Sequence, residues 1–148
     1  MKELIEFLQA DLKNERLHMN FYLHAASMVS GPHREEYREY FLKEAQSEME
    51  HVKQFADAIV YLGGIPGVIA NEISSNMINE TNLVKLLAYA AEQETKVADN
   101  YANRMNYIDT HSHSEPTADE TWLHLFYENQ LQDSWAASKE LKQLLLHI

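Results

Sequence analysis

Cysteine is absent from the sequence, which excludes disulfides, iron–sulfur clusters and thiolate zinc sites together. Glycine and proline are nearly absent as well, at 4 and 3 in 148 residues. So few breaks leave long stretches rich in Leu, Ala, Glu, Lys and Gln, a composition that favours long helices over many short strands. Positive charge is also scarce, with 12 Lys and Arg against 23 Asp and Glu and a formal net charge of -11. No basic arm is available for a polyanion, so nucleic acid and membrane are not expected partners, and the surface suits a protein that meets cations. No segment approaches the roughly 20 consecutive apolar residues of a membrane span. The opening MKELIEFLQADLKNERL carries charges every few residues, where a secretion signal would have an apolar core. A soluble, cytoplasmic protein is the expectation.

What is present is helical period. With 45% hydrophobic residues, the chain is long enough for one core and is read as a single domain over 1–148. Residues recurring at three and four positions mark four stripes. The first is Met1, Leu4, Leu8, Asp11, Glu15, His18, Tyr22, Ala25 and Val29, ending at Ser30-Gly31-Pro32. The second, from about Pro32 to Leu62, is Tyr37, Phe41, Glu44, Glu48, His51, Phe55, Ala58 and Leu62, and stops at Gly63-Gly64. Residues 63–80 show no period. Thr81 is the expected N-cap of a third helix with the stripe Val84, Leu87, Ala91, Glu94, Ala98, Tyr101 and Met105. After a turn over 106–117, Thr117-Ala-Asp-Glu120 has the form of a capping box. The fourth helix then carries Leu123, Phe126 or Tyr127, Gln130, Ala137, Leu141 and Leu144 or Leu145. The fold expected is all-α, an antiparallel four-helix bundle with a long crossover between the second and third helices.

Three of these apolar stripes contain a carboxylate: Glu15, Glu48 and Glu94. A carboxylate buried alone protonates or is costly, so three at one level call for a cation. Glu15 and Glu48 stand about equally far from the Gly31-Pro32 turn, which brings them abreast in an antiparallel pair, and Glu94 is near the middle of its helix. His51, one turn from Glu48, makes a Glu-x-x-His pair on one helix face. Carboxylates with imidazole and no thiolate suit iron or manganese, with zinc as the usual competitor. Glu92 lies off the stripe and is read as solvated, and the loop histidines His111 and His113 are read as exposed rather than metal-bound.

These features resemble the ferritin superfamily, bacterioferritin and ferritin in particular. Glu15 within LKNERLHMNFY, with Tyr22 seven residues on, is similar to the first-helix ligand and its accompanying tyrosine. The interval to Glu48 in SEMEH fits, and LGGIPGV resembles the turn after the second helix. The fourth helix departs from the bacterioferritin pattern, because FYENQLQDSW has no His three residues after a Glu. Two alignments fit: Glu128 as the carboxylate with Leu131 in the place of His, or Gln130 with Asp133, as in ferritins that use Gln there. His18, three residues after Glu15, reads either as a core histidine or as the replacement for that imidazole. Met49 reads either as an apolar interface residue or, as the bacterioferritin resemblance implies, as a ligand to haem b between two subunits.

The resemblance implies a di-iron ferroxidase that oxidises Fe(II) to Fe(III) with oxygen or peroxide, for iron storage or detoxification. Glu15, Glu48, His51 and Glu94 would be its catalytic metal ligands, joined by Glu128 or Gln130. It further implies a homo-oligomer, from a dimer to a cage; no fifth short helix of the kind found in larger ferritins is seen before Ile148. Two other functions are compatible with the same residues: a di-metal oxidase or peroxidase unconnected with storage, and a metal-free helical interaction protein with protonated inward carboxylates.

Overall fold

The computed structural model describes residues 1–146 and 148. Its elements are the helices α1 (Lys2–Met28), α2 (Arg34–Tyr61), α3 (Leu83–His111) and α4 (Ala118–Leu145), with no strand among the described residues. No helix among these residues is long and apolar enough to cross a membrane. The chain forms two compact units, Met1–Leu86 and Leu87–Ile148.

In the first unit, Gly31 adopts a φ of 100°, a conformation natural to glycine, and reverses the chain between α1 and α2. Helix α2 begins at Arg34 rather than Pro32, and its first turn serves α1. Arg34 Nη2 donates to the Ser27 carbonyl at 3.2 Å and Arg38 Nη1 to that of Ala26 at 3.3 Å. The last turn of α1 has no basic residue of its own, so these guanidinium groups satisfy carbonyls left open at its negative end.

The two helices are antiparallel. Moving forward along α2, Phe41 meets Tyr22 with ring centroids 6.3 Å apart, and His51 Nδ1 then lies 3.6 Å from Glu15 Oε2. Beyond α2, Gly64 reaches Ile5. A Cβ at Gly64 would lie 2.8 Å from Ile59 Cγ2 and 3.1 Å from Ile5 Cγ2, and Ile59 is fully buried. Gly64→Ala is therefore expected to destabilise the protein by about 1–3 kcal/mol through overpacking. An unchanged urea midpoint would show that these methyl groups move aside freely.

The aperiodic connector follows α1 along most of its length, because polar groups of that helix hold its backbone. Gln9 donates to the Ile65 carbonyl at 2.6 Å and accepts from the Gly67 amide at 2.8 Å. Further on, Arg16 Nη2 donates to the Gly67 carbonyl at 3.1 Å, His24 Nε2 to that of Ile78 at 2.6 Å, and the Ser30 amide to that of Thr81 at 3.0 Å. Irregular backbone needs such partners, and their order from Gln9 to Ser30 makes the connector a full-length crossover. Asn82, rather than Thr81, caps α3: its Oδ1 accepts from the Lys85 amide at 3.1 Å. Glu80 Oε2 fixes this arrangement by accepting from the amides of Thr81 and Asn82. Val84 turns outward at 43% exposure, and Leu83 and Leu86 are buried in its place.

In the second unit, α3 and α4 are likewise antiparallel. Thr95 Oγ1 and Ser138 Oγ lie 2.6 Å apart, the Tyr101 and Tyr127 ring centroids 5.5 Å apart, and Asp109 Oδ1 and His124 Nδ1 2.8 Å apart. Helix α3 runs to His111, so the link is shorter than the span 106–117. On α4, Tyr127 rather than Phe126 is fully buried, and Ser134 and Ser138 are buried where Ala137 was expected. The bond from Thr95 makes burial of the Ser138 hydroxyl tolerable.

The capping box forms as expected. Thr117 Oγ1 accepts from the Glu120 amide at 3.2 Å, and Glu120 Oε1 accepts from the Thr117 amide at 2.9 Å. That backbone bond, with the His113 ring second and burial opposing both, holds the Glu120 carboxyl at about 2, below its ordinary 4.5. A lowered carboxyl contributes stability above its unfolded value and loses it as pH falls through the folded value. Glu120→Gln should therefore melt below the parent near neutral pH, with the difference shrinking from pH 4.5 towards about 2. Thermal melts across that range check it, and a constant difference would contradict it.

Candidate metal centre

Glu15 on α1 and Glu48 and His51 on α2 meet in the interior of the first unit, at 1%, 3% and 7% exposure. They meet because the Glu-x-x-His spacing puts two of them on one face of α2, while the Gly31 turn sets the register that brings α1 alongside. One ligand atom from each lies within 4.8 Å of the other two. His51 Nδ1 is 3.4 Å from Glu48 Oε2 and 3.6 Å from Glu15 Oε2.

These separations are informative. A good N–H···O bond is about 2.9–3.0 Å, so the imidazole stands back from both carboxylates. Ligands bonded to one metal ion at roughly 2.0–2.2 Å are, at ordinary bond angles, roughly 3–3.6 Å apart. The three residues are therefore spaced as ligands of a shared cation, and their oxygen and nitrogen donors suit iron or manganese.

The electrostatics agree. Burial pushes the Glu15 carboxyl up, but its neighbours Glu48 and His51, with the His51 and His18 charges, outweigh it and hold it at about 2. His18, one turn from Glu15, is pushed down by burial against the opposing pull of Glu15. Its Nε2 is buried without a hydrogen-bond partner among the described residues. An orphaned buried nitrogen is costly, and a metal ion would satisfy it.

The other candidates fall in different places. Met49 is 58% exposed on the outer side of α2. In the second unit, Glu94 and Gln130 are buried at 2% and 3%, whereas Glu128 is half-buried and Asp133 exposed. Glu92 is exposed and paired with Lys96 at 2.9 Å. Tyr22 and Tyr101 are both buried at 1%. Asp11, one turn before Glu15 and buried at 3%, is a further carboxylate that the ligand pattern omits; its place in the α1 stripe was the available signal.

The model of the ferritin-like domain matches residues 5–144. Among solved structures, the chain is similar to a ferritin-like, diiron-carboxylate protein from Bacillus anthracis, with 28% identity and a TM-score of 0.82 over 97% of this chain and 96% of that one. It is similar in fold to a dodecameric thioferritin, the bacterioferritin-related protein of Bacteroides fragilis, with 20% identity and a TM-score of 0.78 over 98% of this chain and 85% of that one. Dps from Staphylococcus aureus shares the fold at 13% identity, with a TM-score of 0.82 over 98% and 96% of the two chains. No curated protein matches in sequence. The fold is thus the all-α, ferritin-like four-helix bundle.

Proposed function

The chain belongs to the ferritin-like family, and we propose that it is a di-iron ferroxidase that oxidises Fe(II) to Fe(III) for iron storage or detoxification. The observation that carries this reading is the buried Glu15–Glu48–His51 cluster, whose ligand atoms lie within 4.8 Å of one another. A diiron-carboxylate relative of the same fold supports it. One family model running across residues 5–144 also supports treating the chain as a single domain.

Iron is the substrate here. Two Fe(II) ions surrender two electrons; oxygen accepts them with two protons to give hydrogen peroxide, or peroxide accepts them with two protons to give water. Glu48 would bridge the two irons, with Glu15 and His51 as ligands at the ends. Carboxylate oxygens in a buried site favour the more highly charged Fe(III), which drives the oxidation. The family resemblance implies Glu94 as a further ligand, with Gln130 preferred to Glu128 for its burial and His18 as an added nitrogen donor. The acidic surface draws Fe(II) inward.

Self-association belongs to the same reading. The end of α2 and the connector expose Tyr61, Ile65, Val68 and Ile69 at 74%, 87%, 83% and 69%, and the thioferritin of this fold is dodecameric. Haem at Met49 would require such an assembly, since the exposed thioether needs a second subunit to enclose the ring.

Anaerobic Fe(II) titration followed by oxygen, with light-scattering mass on the same sample, tests the proposal. Saturation at a pair of irons per chain, rapid oxidation and a mass of many subunits are expected. Absence of saturable Fe(II) binding would remove the ferroxidase and the alternative di-metal oxidase together.

A further inference from the structure

A second group of metal-ligating side chains lies at the α3–α4 turn, within the second unit. A cavity of about 510 Å³ is lined there by Asp109, Ser112, His113, Pro116, Glu120 and His124, among others. Asp109 Oδ1 lies 2.8 Å from His124 Nδ1, and Glu120 Oε1 lies 3.0 Å from His113 Nδ1.

The chemistry of these pairs fixes the tautomers. An ionised carboxylate can only accept, so each Nδ1 carries the hydrogen and, in the neutral ring, the lone pair is on Nε2. Neither Nε2 has a hydrogen-bond partner among the described residues. A carboxylate behind an imidazole orients the ring and raises the basicity of the far nitrogen, the usual support for a metal-bound histidine. Glu120 is itself anchored, since it also accepts from the amides of Thr117 at 2.9 Å and His113 at 3.3 Å.

We propose that His113 and His124 bind one borderline divalent cation of the zinc class through Nε2, at a site distinct from the iron centre. The charges favour it, because two carboxylates behind two neutral rings are balanced by a dication. Imidazole donors select zinc, nickel or copper over magnesium or calcium. The four donors are not gathered as closely as the core cluster, and His113 has the freer side chain, at 75% exposure against 31% for His124. Binding therefore draws His113 inward and tightens the turn over 112–117, with water completing the coordination. Neither histidine stands out in the sequence: His113 reads as exposed, which it is, and its pairing with Glu120 arises from the loop's path.

The test is equilibrium dialysis of the full-length protein against Zn²⁺. A His113→Ala/His124→Ala variant should lose a single equivalent per chain, and Glu48→Gln, altered in the core, should retain it. Asp109→Asn, which keeps the side chain's size but removes the carboxylate charge behind His124, should weaken that equivalent about 10- to 100-fold and covers the case in which the double variant fails to fold. Undiminished Zn²⁺ uptake by a folded double-histidine variant would overturn the proposal. So would an Asp109→Asn variant with parental affinity. Neither result bears on Fe(II) oxidation, so the two readings fail separately.

Discussion

Glu48→Gln should slow Fe(II) oxidation by at least about a hundredfold while leaving the protein as stable as before, or more stable. Loss of even an outer-shell partner commonly costs 10- to 100-fold in metal affinity or activity, and in the proposed site Glu48 would touch both irons. Glutamine keeps the volume and hydrogen-bonding reach but not the charge. Glu48 is 3% exposed and lies in the buried cluster with Glu15 and His51, and a buried acid within such a cluster is a cost to the metal-free fold. Stopped-flow oxidation and thermal melts on one preparation measure both halves. An unchanged oxidation rate would disprove the role of Glu48, and a gain in stability in a parent protein that neither binds nor oxidises Fe(II) would favour the helical interaction protein.

Phe41→Ala should destabilise the protein by about 3–5 kcal/mol, against a typical total of about 5–15. Phe41 is fully buried, and its ring centroid stands 6.3 Å from that of Tyr22 and 5.7 Å from that of Tyr40. Removing it opens a cavity between α1 and α2 close to the turn that sets their register. By contrast, Val68→Ala, at a residue 83% exposed, should change stability by no more than about 0.5 kcal/mol. Urea unfolding of both variants checks the comparison. Similar losses would mean that the connector, rather than the helix pair, holds this unit together.

The part of the centre carried by α1 and α2 was legible because burial there follows helical period. Leu8, Tyr22, Phe41 and Phe55 define the faces, so carboxylates at Glu15 and Glu48 stood out as charges on apolar stripes. Pro32 was a less reliable guide to where α2 begins, because the turn is made by Gly31 and the first helical residue is Arg34. Thr81 and Asn82 are both good caps, and the choice between them was made by Glu80, which no local propensity reveals. The apolar stripe expected on α4 passed through Ala137 and left out Ser138, whose hydroxyl is buried because Thr95 on another helix supplies its partner. The connector's route was illegible for a similar reason, since its backbone is held by Gln9, Arg16 and His24 from far away in the sequence. On α4, the pattern left Glu128 and Gln130 open; Gln130 is buried and Glu128 half-buried, which is the ground for preferring Gln130 in the proposed site.

The most direct test is anomalous diffraction at the iron edge from crystals soaked anaerobically in Fe(II). A peak is expected within roughly 2.0–2.2 Å of carboxylate oxygens of Glu15 and Glu48 and of His51 Nδ1, with a second iron beside it sharing Glu48. Iron density elsewhere on the chain, with none between Glu15, Glu48 and His51, would contradict it.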